Sequence, residues 1–383
     1  MGKFGLVGIF SLFPRETNNQ IIPRVDFHYH YNTAKEEISR WEKLRSQLPG
    51  WHPKRYPYRS KIGRYTKESA QQFYNVLTEF QPDLVIGEVW IYRYIPLVKR
   101  FGCRFILDEH NVHGIWLKEL YAAYAAMEKR RLTIRQKLEL AQTQPIEQHL
   151  IRQAAQVWVC SSADEQQLKN LYAPVPHVQV IPNGVDIASY NCIHSGKCSL
   201  PEKLKSHGQN VLYLGQFSYA INAEAVELLI QKIYPRLRQI YPDCRLLLVG
   251  RNPNQHMLAA AQADTGIIVT GQVSDIRPYL AAASVMAVPL QHGGGTRLKI
   301  LEAFASSCPV VSTTKGAEGL NITDGEHLLI RDEIDAMVEG ISQLWSNQIL
   351  RTKLTDSAYR LVKANYSWQA VGRKIESAIY ELF

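Results

Sequence analysis

The chain has 383 residues, 46% of them hydrophobic and 21% charged, with a formal net charge of +9. That length suits two or three domains, and the apolar share excludes a disordered tail. The cationic excess favours polyanionic partners such as nucleotide phosphates, an anionic bilayer or nucleic acid.

The opening residues read as a first strand over 4–10 rather than as a signal peptide. They lack a small-residue cleavage site and soon reach Pro14, Arg15 and Glu16. Short β-rich runs then alternate with longer helical patterns. Strands are predicted at 83–87, 103–107, 157–160 and 178–181, with helices over 67–80, 115–140, 145–154 and 163–172 between them. A second series has strands at 211–216, 245–249, 266–270, 285–290 and 310–313, with helices over 223–241 and 296–306. Two such series imply two doubly wound α/β domains facing each other across a cleft. The domains are predicted at 1–190 and 191–365. Their boundary falls in 184–208, where Ser, Gly, Lys, Asn and Pro201 show no sustained periodicity.

No stretch reaches the roughly 18 apolar residues of a membrane span. The six cysteines, Cys103, Cys160, Cys192, Cys198, Cys244 and Cys308, have no paired spacing. They suit free thiols in a reducing cytosol. Between 51 and 64, Lys54, Arg55, Arg59, Lys61 and Arg64 alternate with Trp51, Tyr56 and Tyr58. Basic residues among interfacial aromatics suit an anionic membrane surface or a lipid-linked acceptor, with a solvated loop as the alternative. No nucleic-acid motif accompanies the charge, so nucleic acid is not expected.

In open parallel sheets, ligands bind outside the carboxyl ends of the strands. Glu88 follows the strand 83–87 and suits a polar acceptor contact or a helix N-terminal acid. Asp108, Glu109, His110 and His113 follow the strand 103–107. A neutral His110 imidazole there could exchange a proton or a hydrogen bond with a hydroxyl. The alternative is a polar loop capping the next helix. His110 and His113 are spaced for a metal, but no third ligand is indicated, so no metal is predicted. His28 and His30 would point the same way from a strand.

The apolar run 285–290 leads into Gly293, Gly294 and Gly295, which let a backbone approach a ligand and take positive φ. A helix beginning near Thr296 would aim free N–H groups and a partial charge of about +0.5 at an anion. Arg297 and Lys299 add full charges there. Glu302 stands among Ile300, Leu301, Ala303, Phe304 and Ala305, so a buried carboxylate needs donors. Ribose hydroxyls or a structural Arg or Lys would supply them. A glycine-rich turn with solvated cations is the alternative for the whole segment. No GxGxxG opens either domain, which disfavours a nicotinamide dehydrogenase.

Taken in order, several segments resemble the retaining glycosyltransferases of the group-1 class (family four), which have the GT-B fold. They are Val157 to Ser161, Val180 to Asp186, Leu246 to Gly250, Thr270 to Asp275, Val288 to Ala303 and Pro309 to Gly319. The resemblance implies two Rossmann-like domains and a C-terminal stretch, 366–383, crossing back to the first. It implies transfer of a sugar from a UDP- or GDP-type donor to an acceptor hydroxyl, with retention and without a metal or other cofactor. The setting would be glycan, polysaccharide or glycolipid synthesis, cytoplasmic or peripheral at the inner membrane face.

By the same resemblance, Glu302 is the ribose-binding second Glu of a Glu-x7-Glu motif, whose first Glu falls on Gly294 and is absent. Donor contacts fall on Gly293, Gly294, Gly295, Thr296, Arg297 and Lys299, with Gly215, Gln216 and Val273. Positions where relatives place an Arg and a Lys for the diphosphate read Gln216 and Ile221, leaving Arg297 and Lys299 a larger share. The glycine-rich loop after the first strand is replaced by 10–14. His110 matches a His beside the reaction centre, so His110, Glu302 and Lys299 are the catalytic candidates. Glu88, Asp108 and His113 fall on the acceptor side. Other GT-B enzymes, such as an epimerase or a phosphorylase, remain alternatives. So does an inactive nucleotide-sugar-binding scaffold.

Overall fold

A computed structural model describes residues 6–11, 27–30, 65, 67–204 and 208–383. The chain divides into two units. One comprises Met1–Leu117, Leu132–Ile181 and Lys374–Phe383, the other Lys118–Arg131 and Pro182–Arg373. The change from one unit to the other at Pro182 lies just upstream of the expected boundary region, 184–208. The basic segment 51–64 lies outside the described residues.

In the first unit, β1 (Gly8–Ser11) pairs in parallel with β2 (Phe27–His30). A second parallel sheet holds β3 (Leu84–Gly87), β4 (Arg104–Glu109), β5 (Gln156–Val159) and β6 (Val178–Val180), side by side in that order. Successive side chains on a strand face opposite ways. Phe105, Leu107, Val157 and Val159 pack with Phe73, Leu77, Ile146, Leu150 and Leu168. Ile106 and Trp158 join a separate cluster with Ala378 and Ile379 from the end of the helix Trp368–Tyr380. Gln156 Nε2 donates to the Ala378 carbonyl at 2.8 Å, fixing that helix to the sheet.

Three local expectations need correction. The first strand is Gly8–Ser11, not 4–10. The helices expected over 115–140 and 145–154 are instead His113–Met127 and Ile134–Gln153. The break comes at Lys129, which has φ 48°, and the second helix starts on a capping box between Thr133 and Gln136. Pro145 therefore lies inside a helix rather than starting one.

The second unit is a six-stranded parallel sheet. Its strands are β7 (Asn210–Leu214), β8 (Arg245–Val249), β9 (Ile267–Val269), β10 (Val285–Val288), β11 (Val310–Ser312) and β12 (Leu329–Ile330). They lie in the order β12-β11-β10-β7-β8-β9. Leu246 to Leu248 and Val285 to Val288 are fully buried, as expected of strands covered on both faces. From β7 the chain moves outward through β8 and β9, then returns to place β10 on the other side of β7. The strand order reverses between β7 and β10, and ligands of such sheets bind at that point.

Just past β8, Gly250 has φ 154°, and a Cβ there would drive into the Gly215 carbonyl oxygen just past β7. The exits of the two strands are thus in backbone contact. Gly250→Ala should destabilise the protein by about 2 kcal/mol or more; an unchanged urea midpoint would contradict this close approach.

Candidate functional site

The reversal point is occupied by the loop that β10 delivers. Gly293 and Gly295 have φ 109° and 75°, so two of the three glycines use backbone that side chains disfavour. A Cβ on Gly293 would also meet Ile221 and the Arg297 guanidinium. The following helix is Leu298–Ala305, with Arg297 as its N-cap, so it begins two residues later than 296. Arg297 Nη1 donates to the Gly294 carbonyl at 2.6 Å and braces the loop from within. Thr296 Oγ1 is buried with no hydrogen-bond partner among the described residues. Gly293 N–H donates to Glu119 Oε2 at 3.2 Å, and Lys315 Nζ lies 3.9 Å from that oxygen. His292 Nδ1 sits 2.8 Å from Glu224.

In the first turn of that helix, Lys299 Nζ donates to Asn222 Oδ1 at 3.0 Å and lies 3.9 Å from the Tyr213 ring centroid. Such a cation–ring contact is attractive once water is removed. Asn222 comes from the first turn of the helix Ala220–Leu228 that follows β7. Its Oδ1 also accepts from the Tyr213 hydroxyl at 2.8 Å, and its Nδ2 donates to the Gln216 carbonyl at 3.0 Å. Burial lowers the Lys299 pKa to about 7, with Arg297 adding to the shift and Glu302 opposing it. The full charge expected at Lys299 is therefore only half present near neutrality, because desolvation disfavours the ammonium.

Burial raises the Glu302 pKa to about 7, against the pull of Lys299 and a hydrogen bond from Tyr190. The Tyr190 hydroxyl that opposes the shift is carried on the short 3-10 turn Ile187–Tyr190. Arg277 steadies that turn by donating to the Ser189 carbonyl at 3.0 Å while pairing with Asp275 at 2.7 Å. Gly215 packs against Asn222. Gln216 Oε1 accepts from Arg251 Nη2 at 2.8 Å and Nε at 3.2 Å. Ile221 is buried in the core and Val273 is partly buried against it.

In the first unit, Glu88, Asp108 and His110 come together at the exits of β3 and β4. His110 Nε2 lies 3.2 Å from Glu88, and Nδ1 lies 3.5 Å from Asp108. A hydrogen bond with Cys160, together with these carboxylates, raises the His110 pKa to about 11. Burial pushes the Cys160 thiol itself up, so it is neutral and the carboxylates supply the opposing charge. The bond to His110 holds Glu88 below the usual carboxylate range, while burial lifts Asp108. The neutral imidazole expected at His110 is thus an imidazolium.

His113 stands apart from this cluster. It is buried beside Trp90 and Trp116, with ring centroids 5.5 and 5.2 Å away, and burial lowers its pKa to about 4. The helix it opens is capped by Glu147, which accepts from His113 N–H at 2.5 Å, from Gly114 N–H at 3.0 Å and from the Tyr172 hydroxyl. Burial and the Glu147 charge push the Glu109 carboxyl well above its ordinary value. Among the described residues, no three His, Cys, Asp or Glu side chains gather as a metal-holding group. No described helix is long and apolar enough to cross a membrane.

The second unit therefore gathers Gly293 to Lys299, Glu302, Gly215 and Gln216 at one sheet edge. Asn222, Tyr190, Arg251 and Glu119 complete that edge without having been singled out in the sequence. Arg251 carried a usable signal, since it directly follows the Gly250 just past β8. The other three sit in helices or turns without a distinguishing pattern.

Residues 208–347 match the family model described as Glycosyl transferases group 1, and residues 28–189 match Glycosyltransferase Family 4. Over 187 residues the chain is 23% identical to an uncharacterized 44.6 kDa protein in the cps region of Klebsiella pneumoniae, covering 47% of each. The match thus spans about half the length of that relative. Over 294 residues it is 21% identical to a GDP-mannose-dependent alpha-(1-6)-phosphatidylinositol monomannoside mannosyltransferase of Mycolicibacterium smegmatis, covering 73% of this chain and 71% of the relative. Sucrose-phosphate synthase from Thermosynechococcus elongatus superposes with a TM-score of 0.70 at 17% identity, covering 98% of this chain and 89% of that one. The likeness places the two parallel-sheet units in the GT-B fold.

The charge states at β4 are directly measurable. Imidazole NMR should show no titration step for His110 between about pH 5 and 8, and His113 should stay neutral over that range. A His110 midpoint near about 6.5 would mean that the ion cluster does not form.

Proposed function

The chain belongs to the group-1 glycosyltransferases, and on that premise we propose that it moves a sugar from a nucleoside diphosphate donor to an acceptor hydroxyl with retention. The observation that carries this reading is the placement of Lys299 and Glu302. A half-buried ammonium and a half-buried carboxylate stand one turn apart behind a glycine loop, where the strand order reverses. The loop amides, Arg297 and Lys299 suit a diphosphate, since each charge-assisted hydrogen bond contributes roughly 1.5–3 kcal/mol. Glu302 with Tyr190 suits a ribose, whose hydroxyls both donate and accept.

In this reading the glycine loop and its cations stabilise charge on the departing diphosphate. Retention follows from attack on the face the diphosphate leaves, with a phosphate oxygen taking the acceptor proton, and no metal is assigned a role. His110, as an imidazolium, donates to a sugar or acceptor oxygen rather than abstracting a proton. Glu88 and Asp108 hold it charged on the acceptor side. A UDP- or GDP-type donor is assigned, supported by the GDP-mannose dependence in the name of the mycobacterial relative. Lys54, Arg55, Arg59, Lys61 and Arg64 are assigned to an anionic surface presenting the acceptor at the inner membrane face.

Calorimetry with UDP-, GDP- and ADP-sugars should find one donor class that binds, equally well with EDTA present, and a product retaining the donor's anomeric configuration. Binding of none would sink the reading, and complete, metal-restored loss in EDTA would overturn the metal-free assignment.

A pH dependence follows from the two pKa values near 7. As pH rises above about 7, Lys299 loses the proton that an anion needs. As pH falls below about 7, Glu302 gains one and can no longer accept fully from ribose hydroxyls. Donor affinity should therefore peak near neutrality. Lys299→Met should remove the alkaline fall and Glu302→Gln the acidic one; a flat wild-type profile would contradict both assignments.

A further inference from the structure

We propose that Arg251 is a donor-phosphate-binding residue, held in place by Gln216. This rests on the nucleoside diphosphate reading above. A diphosphate brings about two negative charges or more. The cations beside the glycine loop meet that charge incompletely. Burial lowers the Lys299 pKa to about 7, which weakens its charge near neutrality and leaves Arg297 as the full charge there.

Arg251 differs from four other arginines of its unit in what faces it. Arg236, Arg238, Arg277 and Arg331 each meet a carboxylate at 2.7–3.7 Å. Arg251 meets the neutral amide oxygen of Gln216, through Nη2 at 2.8 Å and Nε at 3.2 Å. Among the described residues it forms no ion pair. A guanidinium has five N–H donors and is always charged. A neutral acceptor orients it while leaving its charge uncompensated, which suits an anion that arrives later.

Its mount is rigid. Gly215 N–H donates to the Val249 carbonyl at 3.1 Å, and Phe217 N–H donates to the Arg251 carbonyl at 2.9 Å. Gly250 closes against Gly215 between them. The same Gln216 reaches the other cation of the site, because its carbonyl accepts from Asn222, whose Oδ1 accepts from Lys299. Arg251 and Lys299 are therefore joined through one loop residue and one asparagine at the sheet edge where the strand order reverses.

The test is calorimetric titration of the full-length protein with UDP and GDP at low and high salt. For whichever nucleotide the wild type binds, Arg251→Gln should weaken affinity about tenfold and flatten its salt dependence. Gln216→Glu should weaken it comparably, because a carboxylate would neutralise the guanidinium. The exchange variant carrying both Gln216→Arg and Arg251→Gln should recover most of the loss. Affinity and salt dependence unchanged in Arg251→Gln would overturn the proposal while leaving the donor reading intact. A wild-type protein that binds neither nucleotide would overturn the donor reading and this proposal with it. Both positions are exposed, so a thermal unfolding curve close to wild type should accompany each variant.

Discussion

The glycine-loop edge of the second unit depends on the side chain of Asn222. Its oxygen accepts hydrogen bonds from the Tyr213 hydroxyl on β7 and from Lys299, and its amide nitrogen donates to the Gln216 carbonyl. A buried ammonium is costly unless its protons are satisfied. Here one is met by an amide oxygen, and the charge rests on an aromatic face. Asn222 lies in the first turn after β7, where the sheet reverses its order. The topology that opens the crevice therefore also supplies the group that makes a lysine tolerable inside it. Loss of that asparagine would remove the hydrogen-bonded link between the glycine-loop helix and β7.

The two units treat charge in opposite ways. Around Lys299 and Glu302, burial brings both groups to the verge of neutrality, so a ligand can decide their charge. Around His110, a hydrogen bond with Cys160 and two carboxylates favour a positive charge over the whole physiological range. The helix next to that cluster is anchored by a buried carboxylate on its first N–H groups. That contact favours the helix dipole and satisfies donors that would otherwise need water. His113, close by in sequence, is packed between two tryptophans.

The sheet of the second unit was legible because strands covered on both faces must be apolar throughout. Runs such as Leu246 to Val249 and Val285 to Leu290 announce themselves. The glycine loop was legible for a different reason, since Gly293 and Gly295 occupy backbone regions other residues avoid. The helix break at Lys129 lies within the range 115–140 expected as one helix, although Thr133 and Gln136 spell a helix start there. The partners of the site residues were hidden by distance along the chain: 77 positions separate Asn222 from Lys299. Charge states were hidden too, since a sequence shows which groups can ionise but not how much water they keep.

The cluster under the helix Trp368–Tyr380 bears on how the chain is made. Ile106 and Trp158 turn one face of the first unit's sheet toward Ile375, Ala378, Ile379 and Leu382. On the ribosome these covering residues emerge only after the whole of Pro182–Arg373 has been synthesised. Until then a tryptophan-bearing sheet face waits without its lid, which is the kind of surface that attracts chaperones or other nascent chains. The first unit is begun first and finished last, and its maturation is timed by the elongation of the second.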